Sequence, residues 1–180
     1  FAFVLPDDPD NRIYLLDRFF DPPMDIYQNR LSTPFNICAH ARATVLIHEI
    51  THIKSLTEDL AYLDSMRPFH DLINVDIRGA RLMQTDLTNL RDTALSTLTP
   101  ATLLFKTWDE FSHQWEDFGR HRSTSSQKSK VLGTTGGRTL DDAREIFMSN
   151  ADKRIDTILA NADSVTCIIS DIGRSLETGA

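Results

Sequence analysis

The chain has 180 residues, 41% of them hydrophobic and 25% charged, an ordinary globular composition on a length that buries a core without covalent staples. Its formal net charge is −7 and no basic stretch is interleaved with aromatics, which argues against a nucleic-acid partner and for cationic ligands or substrates. No apolar run approaches the roughly 18 residues of a membrane span.

The chain begins at Phe1 with no signal-peptide pattern, so the expectation is one domain, 1–180, excised from a longer protein and secreted or delivered outside the producing cell. Phe1 to Leu5 and Arg12 to Leu16 are short apolar runs around the turn signal PDDPDN, which predicts a small N-terminal β-sheet. From Ala39 the spacing becomes helical, with Ala43, Ile47 and Ile50 on a helix that runs to about Ser55; Thr57 to Arg67 reads as a turn or a second short helix. Helical spacing returns over Asp71 to Leu95, weakened at Gly79, and over Ala101 to Phe118 after Pro100. Within the latter, Trp108, Phe111, Trp115 and Phe118 stand at helical intervals and fit either a core stripe or an exosite for a folded protein.

His121 to Thr139 is rich in Ser, Thr, Gly and cations and reads as a mobile surface loop. Leu140 to Met148 and Asp152 to Leu176 complete an α-rich chain, with Asp141 and Asp142 suited to a helix first turn. The fold class expected is α+β, mainly helical. Cys38 and Cys167 form no CxxC pair, so they make no cysteine metal site; one disulfide or two buried thiols both fit, the thiols being favoured. GTTGG lacks the lysine of a phosphate loop.

The chemistry concentrates in VLIHEITH, residues 45–52. Positions four apart share a helix face, so His48 and His52 can aim two imidazoles at one ion, while Glu49 can take a proton from a water beside it. Two imidazoles and a carboxylate on an apolar helix are costly without a partner, and a metal supplies one. A catalytic zinc needs a third protein ligand and an open position, and Glu58, Asp59, Asp64 and His70 are the downstream candidates. His40 fits a supporting or a surface role, and His113 and His121 have no partner spacing.

TEDLAY, residues 57–62, resembles the T-x-D-x-x-Y core of the aspzincin metallopeptidases, the deuterolysin and peptidyl-lysine metalloendopeptidase family. Ile13-Tyr14-Leu15 with Phe19-Phe20, and Asn161-Ala162-Asp163-Ser164, are similar to further blocks of that family. The resemblance implies a zincin-like domain in which Asp59 is the third zinc ligand, Tyr62 stabilises the oxyanion and Asp163 lines the pocket for a substrate lysine. Leu56 and Leu63 replace the family's flanking glycines, Leu16 its cysteine, Val165 a tyrosine and Thr166 the second acid of the lysine pocket. Residues 66–148 form an insertion relative to the family.

The function expected is a zinc endopeptidase acting on protein or peptide substrates, a secreted toxin or effector domain. The alternatives are a protein-binding module that keeps zinc without turnover and a helical interaction domain without metal.

Overall fold

The computed structural model describes residues 1–5, 7–22, 24–27, 35–63, 67 and 69–178, and is α+β, with seven α-helices and two two-stranded sheets among them. The expected N-terminal hairpin is present: β1 (Ala2–Val4) runs antiparallel to β2 (Ile13–Leu15), with Phe3 opposite Tyr14 and their rings stacked at 5.1 Å. Its turn is held by Asp8, which accepts from the Arg12 guanidinium at 2.8 and 2.9 Å, from the Tyr14 hydroxyl at 3.1 Å and from the Asp10 amide at 3.0 Å. A single turn, α1 (Asp17–Phe20), leads to the long helix α2 (Ile37–Lys54), where the Asn36 side chain caps the Ala39 amide.

Gly79, in the left-handed region, opens α3 (Ala80–Thr93), so the long helix expected over 71–95 is shortened. Before it stands only a 3₁₀ turn at His70–Leu72. The helix expected over Ala101–Phe118 is instead a 3₁₀ turn (Ala101–Leu103) and a hairpin, β3 (Lys106–Asp109) against β4 (Gln114–Asp117). The Asp109 carboxylate accepts from the Phe111 and Ser112 amides and so makes the turn. Trp108 and Trp115 are direct cross-strand partners, rings 5.7 Å apart, so their sevenfold interval reflects a hairpin and not two helical turns. Of the aromatic set only Phe118 is core; Trp108, Trp115 and the turn residue Phe111, 98% exposed, are not.

The surface loop expected over 121–139 is also corrected, because it contains α4 (Ser125–Thr135), whose Val131 is fully buried. The hydroxyls of Ser129, Thr134 and Thr135 fold back onto carbonyls four residues earlier, so a loop-like composition sits on a helix. A Thr139–Asp142 capping box starts α5 (Leu140–Ser149), and Asn150 caps α6 (Ala151–Leu159). The last expected helix is broken at Ala160-Asn161, after which α7 (Ala162–Thr178) packs along α2. Cys38 and Cys167 are both half-buried thiols.

Two apolar clusters result. One joins Leu60, Leu104, Phe105 and Phe118 to Val131 and Phe147; the other joins Met24 and Tyr27 to Ile37, Phe69 and Leu87. Helix α2 contributes Ile37 and Ala41 to the second cluster and packs along α7, while the loop 57–63 contributes Leu60 to the first. Among the described residues no helix is long and apolar enough to cross a membrane.

Candidate metal centre

The periodicity of α2 sets His48 and His52 one turn apart, and their Nε2 atoms face each other at 3.1 Å. At Ser55 the helix ends, and Leu56 takes a left-handed conformation, φ 52°, which usually belongs to glycine. The turn lets the Thr57 amide reach the Thr51 carbonyl at 3.3 Å and aims the Thr57 carbonyl at His52 Nδ1, 2.9 Å away. Thr57 Oγ1 lies 2.8 Å from Thr51 Oγ1, which itself donates to the His48 carbonyl, so a hydroxyl chain ties the loop to the helix.

Two residues later Asp59 Oδ1 stands 3.3 Å from His48 Nε2 and 3.5 Å from His52 Nε2. A tetrahedral ion with ligands at about 2.0–2.1 Å places those ligands about 3.3 Å apart. The three observed edges bracket that value, so the donor set can hold a metal ion.

Proton positions point the same way. The Thr57 carbonyl can only accept, so His52 Nδ1 donates to it. Asp163 Oδ1 lies 2.8 Å from His48 Nδ1, where a carboxylate likewise takes the proton. With Nδ1 carrying the proton on each ring, the two Nε2 atoms converge with Asp59 on one point, where a metal ion would find two lone pairs and a carboxylate and where, without one, a proton is held. The titration behaviour expresses this. Burial opposes the His48 imidazolium, but hydrogen bonds to Asp163 and Asp59 outweigh it and push its pKa up to about 10. His52 is raised too, burial being outweighed by Asp59 and the Thr57 carbonyl. Burial would lift the Asp59 carboxyl, yet the two histidines hold it well below the usual carboxylate range.

The segment NADS, residues 161–164, builds the back of the centre. Asn161, fully buried, accepts from the Leu60 and Ala61 amides at 2.9 and 3.1 Å and donates to the Ala61 carbonyl and Ser164 Oγ. Glu58 pairs with the strand-like backbone at Asn161, its amide donating to the Ala160 carbonyl. Asp163 Oδ2 accepts from the Leu63 amide at 2.7 Å. Asp163 is only 2% exposed, with one oxygen against His48 and the other on the Leu63 amide, and it also lines the cleft over the three side chains. Asn161 had no role legible from its residue type; its signal was only its place in NADS.

A cleft of about 620 Å³ opens over the triad, lined by Glu49, Val45, Tyr62, Leu90 and the strand β1. Glu49 is 6% exposed; burial raises its carboxyl above the usual range against the pull of His48 and His52. Tyr62 is 64% exposed, but its hydroxyl donates to Asp59 Oδ2 at 3.4 Å, and local desolvation there together with the Asp59 charge pushes its pKa up to about 12, so it stays a proton donor.

Of the other candidates, Asp64 lies outside the described residues; Glu58 accepts from Ser126, and His70 is the buried first residue of the 3₁₀ turn before α3. His40 pairs with Glu177 at 2.9 Å on the far part of α2. A second cluster, Asp109, Glu116 and His121, has a half-exposed imidazole whose Nε2 sits 2.6 Å from Glu116 and 3.4 Å from Asp109, one carboxylate from each strand of the second hairpin. No protein-family profile, curated protein or solved structure matches this chain.

Proposed function

We propose that the chain is a zinc-dependent endopeptidase of the zincin type, with His48, His52 and Asp59 as ligands and Glu49 as general base. The observation that carries this is the convergence of two Nε2 atoms and one carboxylate oxygen within 3.5 Å, with both Nδ1 protons committed elsewhere. Two imidazoles and one carboxylate, in tetrahedral disposition with one side open to a cleft, suit zinc better than the harder, oxygen-preferring ions. A catalytic rather than structural site is favoured because the described donors are three and the remaining direction faces solvent.

His48, His52 and Asp59 would hold the zinc ion, which would supply Lewis-acid chemistry to a water and a substrate carbonyl. The protein's residues do the rest. Glu49, next to the ligand His48 and walled from bulk water, has the raised carboxyl pKa that suits a base receiving a proton from the attacking water. It then returns that proton to the leaving amine. Tyr62, protonated across the working range, donates its hydroxyl hydrogen to the oxyanion that develops on the scissile carbonyl. Asp163 and the Thr57 carbonyl hold the imidazoles in register throughout.

The deciding experiment compares wild type with Glu49→Gln for bound zinc and for cleavage of a peptide library. Zinc near one equivalent in both, with cleavage about a thousandfold lower in the variant, is the expected pair of results. Equal cleavage would dismiss Glu49 as the base. Zinc with no cleavage of any peptide by wild type would leave the binding-module alternative.

A further inference from the structure

Beside the metal centre lies a second cavity, of about 470 Å³, that shares Asp59, Tyr62 and Leu90 with the cleft. One wall is the end of α3 and the residues after it, with Leu90, Ala94 and Leu95; the facing wall is the second hairpin, with Trp108 and Trp115. Phe105 and Phe118, both buried in the core, close the floor. Among the described lining residues the charged ones are Asp59 at the mouth and Lys106, whose ammonium lies 3.8 Å from Asp117. All but Asp59, Leu60, Ala61 and Tyr62 of its lining comes from the segment that the resembled family lacks.

We propose that this cavity receives a bulky apolar or aromatic side chain next to the scissile bond and so sets the substrate class. The placement of that side chain beside the scissile bond rests on the endopeptidase reading; the cavity's preference for apolar groups does not. Three features support it. The cavity is continuous with the triad through shared residues, so an extended peptide whose carbonyl reaches the metal centre can drop a neighbouring side chain into it. Its volume lies within the range of ligand pockets, and its aromatic and aliphatic walls repay the burial of a large apolar group. A lysine guest would meet the Lys106 ammonium, and the one carboxylate within reach, Asp59, faces both histidines. Asp163 lines the neighbouring cleft and not this cavity, with its oxygens against His48 Nδ1 and the Leu63 amide.

The chain has two tryptophans, and both line the cavity, so its fluorescence reports occupancy without turnover. Zinc-loaded Glu49→Gln should be titrated with blocked pentapeptides of alanine carrying Phe, Leu, Ala or Lys at the centre. Saturable changes for Phe and Leu, at least about tenfold tighter than for Ala or Lys, are expected. Ala94→Phe, which fills the cavity, should remove the Phe response, and Leu103→Asp on its half-exposed rim should shift the preference towards Lys. In parallel, wild-type cleavage of a peptide library should cluster beside Phe and Leu. Equal affinity for Phe and Lys, or a Phe response unchanged in both variants, overturns the proposal. Phe-selective binding without any cleavage upholds the cavity's preference and defeats the endopeptidase reading; cleavage indifferent to Phe does the reverse.

Discussion

Asp163 Oδ1 stands 2.8 Å from His48 Nδ1, and its other oxygen accepts from the Leu63 amide at 2.7 Å. One buried carboxylate thus orients an imidazole of the candidate centre and anchors the far end of the loop that carries Asp59. Asp163→Asn keeps the shape but loses the charge that holds the Nδ1 proton. Metal affinity, measured by competition with a chromophoric chelator, should fall about 10–100-fold while the far-ultraviolet circular dichroism is retained. Unchanged affinity would mean that the contact does not tune the ligand.

Asn161 makes four hydrogen bonds from a fully buried position, two of them to successive amides after Asp59. Replacement by alanine leaves those amides and the Ala61 carbonyl without partners. Urea denaturation should show a loss of about 2–4 kcal/mol. The loss should be accompanied by weaker metal binding, because the Asp59 loop is no longer clamped.

Tyr62 contacts Asp59 but contributes no ligand atom to the triad. Tyr62→Phe should therefore leave the metal stoichiometry intact and lower kcat about 100-fold with little change in KM. A loss confined to KM would assign Tyr62 to substrate binding instead.

Leu56 is 68% exposed and sits at φ 52°, so its side chain gains little from packing while its backbone carries left-handed strain. Leu56→Gly relieves that strain and adds unfolded-state entropy. The net expectation is a stabilisation of about 0.5–1 kcal/mol by thermal denaturation, with metal affinity unchanged.

Asp8 supplies a pH prediction away from the centre. The Arg12 side-chain hydrogen bonds hold its carboxyl well below its ordinary value of 3.8, against burial, with help from the Asp10 amide and Tyr14. A depressed folded-state pKa means stability that is fully present above pH 3.8 and lost as the pH falls through the folded value. The melting temperature of Asp8→Asn should lie below wild type near neutrality, and the gap should close in strong acid. A gap constant with pH would remove the ionised carboxylate from the explanation.

What was legible in the sequence follows from how local each signal is. The N-terminal hairpin, α2 and α5 announce themselves through turn residues, apolar spacing and a capping box, all short-range patterns. His48, Glu49 and His52 share one helix, so their face follows from the helical repeat alone. Asp59 could not be chosen from Glu58, Asp64 or His70 by spacing, because the turn at Leu56 decides its direction. The hairpin at 106–117 misread as a helix because cross-strand partners can mimic helical intervals, and Trp108 and Trp115 do so. In α4 the Ser and Thr hydroxyls are absorbed by carbonyls of the preceding turn, which composition does not reveal. The roles of Asn161 and Asp163 depend on partners about a hundred residues away, beyond any local pattern.

That last separation bears on biosynthesis. Asp163 follows His48 by 115 positions, and Asn161 follows the backbone it clamps by about a hundred. A chain emerging from its amino end carries the HEITH helix long before the groups that orient it exist, and loops of that length close late. Competence of the centre is therefore tied to completion of the last helix. An interrupted synthesis product ending before Asp163 holds both histidines, Asp59 and the Thr57 carbonyl that orients His52, but lacks the carboxylate that orients His48. The fold itself delays assembly of the candidate centre until α7 has been made.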